Sequence, residues 1–184
     1  MPLNNDESLE QSLEWLLEEE GGFSNHPADT GGATMYGVTQ ATYNAWRKSI
    51  KKTQQPVGKI TQEEAKSLYR AMYWDEAGCD KLPFPVNYMV FDGAVNSGPS
   101  RSDKWLQEAL SVKQDGILGP KTLGALEEAL AASDGVIYYR LIDARLKFLV
   151  ALVKSKPSQL VFLLGWMRRL IRVLLRAVAS VGIN

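Results

Sequence analysis

Apolar residues recur along this chain at helical spacing in segment after segment, and the strict alternation of a half-buried strand is scarce. In residues 7–20, "ESLEQSLEWLLEEE", Leu9, Leu13, Leu16 and Leu17 fall on one helix face, and Gly21 supplies a C-terminal stop. Residues 22–40 read as a loop or short hairpin. Thr39 then reads as the N-cap of "QATYNAWRKSI", and Thr61 opens a capping box, "TQEE", for a helix running to about Trp74. The proline-punctuated "KLPFPVN" separates a first helical lobe from a second. There, "YMVFDGAVNSG" is apolar at helical spacing and ends at Gly98, and "PSRSDKWLQEALSV" is a further helix. "KQDGILGPKTLGALEEAL" holds a tight turn and a helix, and residues 134–155 form a long one. The pattern predicts a mainly α protein with at most a small β element around residues 22–38.

A chain of 184 residues fits one domain or two small lobes and can bury a genuine core. With 45% hydrophobic and 23% charged residues and no repeat of fixed period, an ordinary globular protein is expected. Cys79 is the only cysteine and His26 the only histidine, which excludes an internal disulfide and the usual metal-ligand sets. Neither metal nor cofactor is expected. The segment "MPLNNDESLEQSLEW" lacks the basic and apolar regions of a secretory signal, so synthesis in the cytoplasm without a signal peptide is the expectation. Net charge is zero, but Lys147, Lys154, Lys156, Arg168, Arg169, Arg172 and Arg176 make residues 147–184 basic without a single acid. The first 146 residues therefore carry fourteen basic against twenty-one acidic side chains.

The acid run Glu18-Glu19-Glu20 resolves by helical phase. At about 100° per residue, Glu20 falls about 20° from Leu9, inside the leucine stripe, whereas Glu18 points away and Glu19 lies at the edge. An inward carboxyl in the last turn of a helix holds its proton for two reasons, desolvation and the negative pole of the helix dipole, and so suits a general acid. The opposing reading, that Glu20 caps the stripe and reaches solvent past Gly21 and Gly22, stands beside it. Asp29 follows on the next loop, with Gly31, Gly32 and Thr34 on the returning limb. Two carboxyls brought together suit hydrolysis of a glycosidic bond, one protonating the leaving oxygen while the other positions water or stabilises the oxocarbenium-like centre. Taken alone, "ADTGG" also reads as an Asx turn.

The stretch "EGGFSNHPADTGGATMYGVTQATY" resembles the signature of glycoside hydrolase family 108, the N-acetylmuramidases found among phage endolysins and bacterial secretion-linked muramidases. The resemblance implies that Glu20, before the double glycine, is the catalytic glutamate. By similarity to the glutamate, aspartate and threonine grouping of phage-type lysozymes, it also makes Asp29 and Thr34 candidates to orient the attacking water. The later stretches "VFDGAVNSG", "WLQEAL", "DGILGPKTL" and "FLLGWMRRL" resemble the family's C-terminal partner, a predicted peptidoglycan-binding region. The implied fold is lysozyme-like and two-lobed: a catalytic lobe over 1–83, a helical peptidoglycan-binding-like lobe over 84–157 and a C-terminal basic amphipathic helix over 158–184.

Further candidates follow. Asp92 and Asn96 stand four apart on one helix and share a face, either to line a sugar cleft or to hold a buried turn. Tyr36, near Thr34, is a candidate sugar subsite; Trp46 reads as core. Cys79 with His26 would suit a wall peptidase, but nothing in "EAGCDKL" supports that pairing. In "SQLVFLLGWMRRLIRVLLRAVA" the four arginines lie on one side of a helix, at about 80°, 180°, 120° and 160° from Leu160. The apolar run Leu160–Leu164 is too short to span a bilayer. The expectation is an interfacial helix: Arg168, Arg169, Arg172 and Arg176 meet anionic lipid or lipopolysaccharide, while Phe162, Trp166 and Leu170 dock on the body. The function expected is that of an endolysin that cleaves the β-1,4 bond between N-acetylmuramic acid and N-acetylglucosamine. It acts as a monomer, with peptidoglycan and no nucleic acid as partner. A secretion-linked muramidase and a non-catalytic wall-binding or membrane-active module are the alternatives.

Overall fold

The computed structural model of the chain describes residues 3–19, 33–132 and 135–182. Helix α1 spans Asn5–Glu19 and buries Ser8, Leu9, Ser12, Leu13 and Leu16, the stripe that the leucine spacing predicts. Asn4 opens it with a box absent from the sequence reading. Its side-chain oxygen accepts from the Glu7 amide at 3.0 Å, and the Glu7 carboxylate accepts from the Asn4 amide at 3.0 Å.

Strands β1 (Thr34–Met35) and β2 (Val38–Thr39) pair antiparallel, with Thr34 opposite Thr39 and Met35 opposite Val38. Tyr36 and Gly37 make the turn at φ of 52° and 73°, the doubly positive pair that a two-residue hairpin requires. A tyrosine there is strained, and the Tyr69 hydroxyl holds it by donating to the Tyr36 carbonyl at 2.8 Å. Helix α2 (Gln40–Ser49) starts at Thr39, whose hydroxyl accepts from the Thr42 amide at 3.1 Å. Helix α3 (Gln62–Tyr69) starts from the Thr61–Glu64 capping box, and a π-helical turn at Arg70–Trp74 carries the helical path to the residue where the pattern ends it.

Helix α4 (Val86–Ser97) is the axis of the molecule, with Val86 through Ala94 all buried. A helix apolar on every side has no face to offer water, and this one is wrapped by the others. Helix α5 (Pro99–Ala109) follows Gly98. It lies close against α4, because a Cβ at Gly93 would run into the Ser102 hydroxyl, which itself donates to the Val90 carbonyl at 2.6 Å. Gln107, buried on α5, organises the next loop by accepting from the Gly116 amide at 2.7 Å and donating to the Asp115 carboxylate at 2.8 Å. Helices α6 (Pro120–Ala131), α7 (Val136–Ser155) and α8 (Leu160–Ser180) complete the chain. Helix α7 packs on α5, and α8 packs on both α7 and α4. Leu13, Leu16, Trp74, Phe91, Leu106 and Leu141 belong to one continuous core that runs through both halves.

Candidate active site and its arginine support

Glu20 and Asp29, the two candidate catalytic carboxyls, lie outside the described residues, as does His26. The elements that lead into them are described. Glu19 is the last described residue of α1, so the chain enters the candidate acid directly from the C-terminal end of that helix. Thr34 sits on β1, half-buried and opposite Thr39, at the far limb of the glycine-rich segment. Tyr36 occupies the hairpin turn, half-buried against the core.

The end of α1 is gripped by α8. Arg172 Nε donates to Glu19 Oε1 at 2.7 Å, and a second hydrogen bond joins Arg172 Nη2 to Glu19 Oε2, a fork-to-fork pair. Arg176 Nη2 donates to Glu18 Oε2 at 2.8 Å, and its Nη1 donates to the Trp15 backbone carbonyl at 3.1 Å. The same guanidinium stands 5.3 Å from the centre of the Trp15 ring. Arg176 thus reaches a backbone carbonyl near the end of α1, and both guanidiniums place positive charge at its negative pole. Glu19, read from phase as a stripe-edge solvated acid, is instead mostly covered and doubly paired; Glu18 stays exposed but paired.

Asp92 takes the second of its two readings. Its side chain is buried at the centre of α4, where Arg145 Nη2 on α7 donates to Oδ2 at 2.7 Å and Arg169 Nε on α8 donates to Oδ1 at 2.8 Å. Burial alone would push its carboxyl up, but the two guanidiniums outweigh that and hold it below its ordinary value. Asp92 therefore does not line an open sugar cleft; it is a staple joining three helices. Asn96 shares its face as expected, donating through Nδ2 to the Asp92 carbonyl at 2.6 Å, and is exposed at the end of α4.

The orientation of α8 reverses the expectation for the C-terminal helix. Arg169, Arg172 and Arg176 turn toward the body to meet Asp92, Glu19 and Glu18, and only Arg168 of the four is exposed without an ion pair among the described residues. Leu170, Val173 and Ala177 make the buried contact. Leu160, Val161, Leu164 and Ile171 face outward, with Val161 79% and Ile171 56% exposed. Phe162, expected to dock, is also exposed, and Trp166 is only half-covered. The arginines are drawn in because the first 146 residues carry the excess acid that the tail lacks.

Two other candidates resolve simply. Trp46 is core, as its position suggests, and Tyr43 is fully buried beside it. Cys79 is completely buried, and that burial pushes its thiol well above the ordinary value, so it offers no thiolate nucleophile. Sequence reading missed Arg145. The available signal was its phase on α7, four residues after Leu141 and seven after Tyr138, inside the buried stripe.

A buried central helix wrapped by others, together with a small two-stranded antiparallel sheet, defines a mainly α, lysozyme-like fold. Residues 13–98 match the family described as glycosyl hydrolase 108, and residues 101–171 match a predicted peptidoglycan domain. Among solved structures, that of Brucella abortus SagA superposes with a TM-score of 0.78 and is 37% identical, covering 94% of this chain and 94% of its own. No curated protein shows a significant match. The chain belongs to glycosyl hydrolase family 108 and is a glycoside hydrolase that acts on peptidoglycan.

Proposed function

We propose that this protein is an N-acetylmuramidase of the endolysin kind, which hydrolyses the β-1,4 bond between N-acetylmuramic acid and N-acetylglucosamine and so lyses the cell. The observation that carries this reading is the family match over residues 13–98, which spans both double glycines and the acid before the first. Glu20 acts as general acid; Asp29 and Thr34 position the water; Tyr36 borders the sugar chain. The clamp of Arg172 and Arg176 on the last turn of α1 supports the assignment, because a general acid at a helix end needs that end held still. The protein is made in the bacterial cytoplasm, works as a monomer and reaches the wall on release. Glu20→Gln keeps the shape of the side chain and removes the transferable proton. Digestion of purified peptidoglycan followed by mass spectrometry is expected to show new reducing-end muramic acid with the native protein and none with the variant. Substantial cleavage by the variant would sink the assignment of Glu20, and absence of muramic-acid ends with the native protein would sink the muramidase reading.

A second reading, contact with anionic lipid, rests on the outward face of α8. No helix among the described residues is long and apolar enough to cross a membrane. The outward stripe of Leu160, Val161, Leu164 and Ile171, flanked by Lys154, Lys156 and Arg168 with no acid after Asp143, suits the headgroup boundary of an anionic bilayer. A second copy fits less well, because a symmetric contact would bring the same cations together. Co-sedimentation with vesicles containing phosphatidylglycerol is expected to be lost in Leu164→Glu/Ile171→Glu. Equal binding by that variant would refute the lipid contact.

A further inference from the structure

Between the end of α4 and the facing sides of α5, α7 and α8 lies a small pocket of about 110 Å³, below the usual size of a whole small-molecule site and suited to the end of a chain. Phe148, Leu149, Leu152 and Trp166 form its apolar and aromatic wall; Asn96, Ser97, Arg145 and Arg169 are its polar lining. Trp105, also on the wall, meets Phe148 edge-on with ring centres 5.3 Å apart.

Arg145 is only 4% exposed. Its Nη2 is bound to Asp92 and its guanidinium lies 5.6 Å from the centre of the Trp105 ring, but Nη1, fully buried, has no acceptor among the described residues. Leaving a buried donor unpaired is costly, the more so when it is charged, and native proteins rarely tolerate it. Asp92 is already committed, one oxygen to Arg145 and the other to Arg169. A guanidinium with a donor to spare, set in an aromatic wall, is suited to a planar carboxylate. Asn96 has spent Nδ2 on the Asp92 carbonyl and keeps its amide oxygen for an N–H.

We propose that this pocket binds the carboxylate end of a short peptide that finishes in a small aliphatic residue, the chemistry displayed by the stem peptides of peptidoglycan. The carboxylate meets Arg145, the preceding amide N–H meets Asn96, and the methyl group rests against Leu149, Leu152 and Trp166. The inference rests on the reading that the wall is the substrate. It adds a second foothold, built from α4, α5, α7 and α8, that raises the effective concentration of enzyme on peptide-bearing strands. A free lactyl carboxylate on N-acetylmuramic acid stripped of its peptide presents the same chemistry and is separated from the peptide by experiment.

The full-length protein, labelled with nitrogen-15, would be titrated with N-acetyl-D-alanyl-D-alanine, with its C-terminal amide and with N-acetylmuramic acid. The indole signals of Trp105 and Trp166 serve as reporters. The expected result is saturable shifts with the dipeptide acid and binding about tenfold or more weaker with the amide. Arg145→Lys should lose the shifts. Because that change also disturbs a buried ion pair, Leu152→Trp, which fills the pocket and leaves the pair alone, should abolish binding with an unchanged unfolding midpoint. Equal shifts with acid and amide, binding that survives in folded Leu152→Trp, or no saturable shift would overturn the proposal. Binding of N-acetylmuramic acid in place of the dipeptide would overturn the peptide assignment. Peptidoglycan cleavage, measured in parallel, separates the two readings: cleavage without dipeptide binding refutes the pocket alone, and dipeptide binding without cleavage refutes the muramidase alone.

Discussion

Helices α4 and α8 both read as apolar, yet one is buried on every side and the other leaves much of its apolar surface in water. The single charge within α4, Asp92, is completely internal, and it draws Arg169 of α8 inward. Glu19 and Glu18 draw in Arg172 and Arg176 along the same helix. Three ion-paired arginines therefore decide which side of α8 faces the body, and the leucines on the far side are left outside. A polar anchor in a poorly solvated place outweighs the preference of a few leucines, each worth about 1.5–3 kcal/mol when fully buried, because an unpaired buried charge costs more than that.

The largest test of this comparison is the staple at Asp92. Asp92→Ala leaves the buried guanidinium of Arg145 without its carboxylate and breaks the link from α4 to Arg169, and it is expected to destabilise the fold by about 3–5 kcal/mol in urea unfolding; a loss below about 1 kcal/mol would mean that α8 is oriented by its apolar contacts instead.

A second effect sits on α5. Asp103 is buried, its Oδ1 has no partner among the described residues, and burial pushes its carboxyl up to about 7, with Lys81 acting in the opposite sense. The folded state therefore holds a proton that the unfolded chain releases near 3.8, so the stability from this group is complete below about pH 4 and is lost as pH rises to about 7. Asp103→Asn should stabilise the protein by about 1–3 kcal/mol at pH 8 and by almost nothing at pH 4. A gain that does not depend on pH would contradict this origin.

The surface clamp should be smaller. Arg172→Gln and Glu19→Gln are expected to cost about 0.5–1 kcal/mol each, and the double variant little more than either alone. If α1's end needs to be held for catalysis, peptidoglycan cleavage should fall more than stability does, and a parallel decline would reduce the pair to a structural role.

The smallest effect is on the outward stripe. Ile171→Glu should change stability by no more than about 0.5 kcal/mol, because that side chain touches little of the body; a large loss would show that the stripe is covered.

Helix positions were legible where local chemistry sets them. The leucines of α1, the Thr39 cap and the Thr61–Glu64 box appear where the spacing predicts. The reciprocal Asn4–Glu7 cap was written in the same local code and passed over. The role of Asp92 was open between two readings, because helical phase shows that a residue points inward and is silent about what meets it there. Arg145, fifty-three residues further on, answers that, and Arg172 reaches Glu19 across a separation of 153 residues.

Taken by itself, the sequence determined the helices, the small hairpin, the family signature around Glu20 and the charge asymmetry between body and tail, since each depends on neighbours within a turn or on composition. Only the tertiary structure decided the direction in which the tail's charge points, the burial of Asp92 between two arginines, and the unpaired Arg145 donor beside the pocket between α4, α5, α7 and α8. Those outcomes depend on which charges find a partner across the fold, and pairing over such distances follows from the packing of α4, α7 and α8 rather than from the periodicity of any one of them.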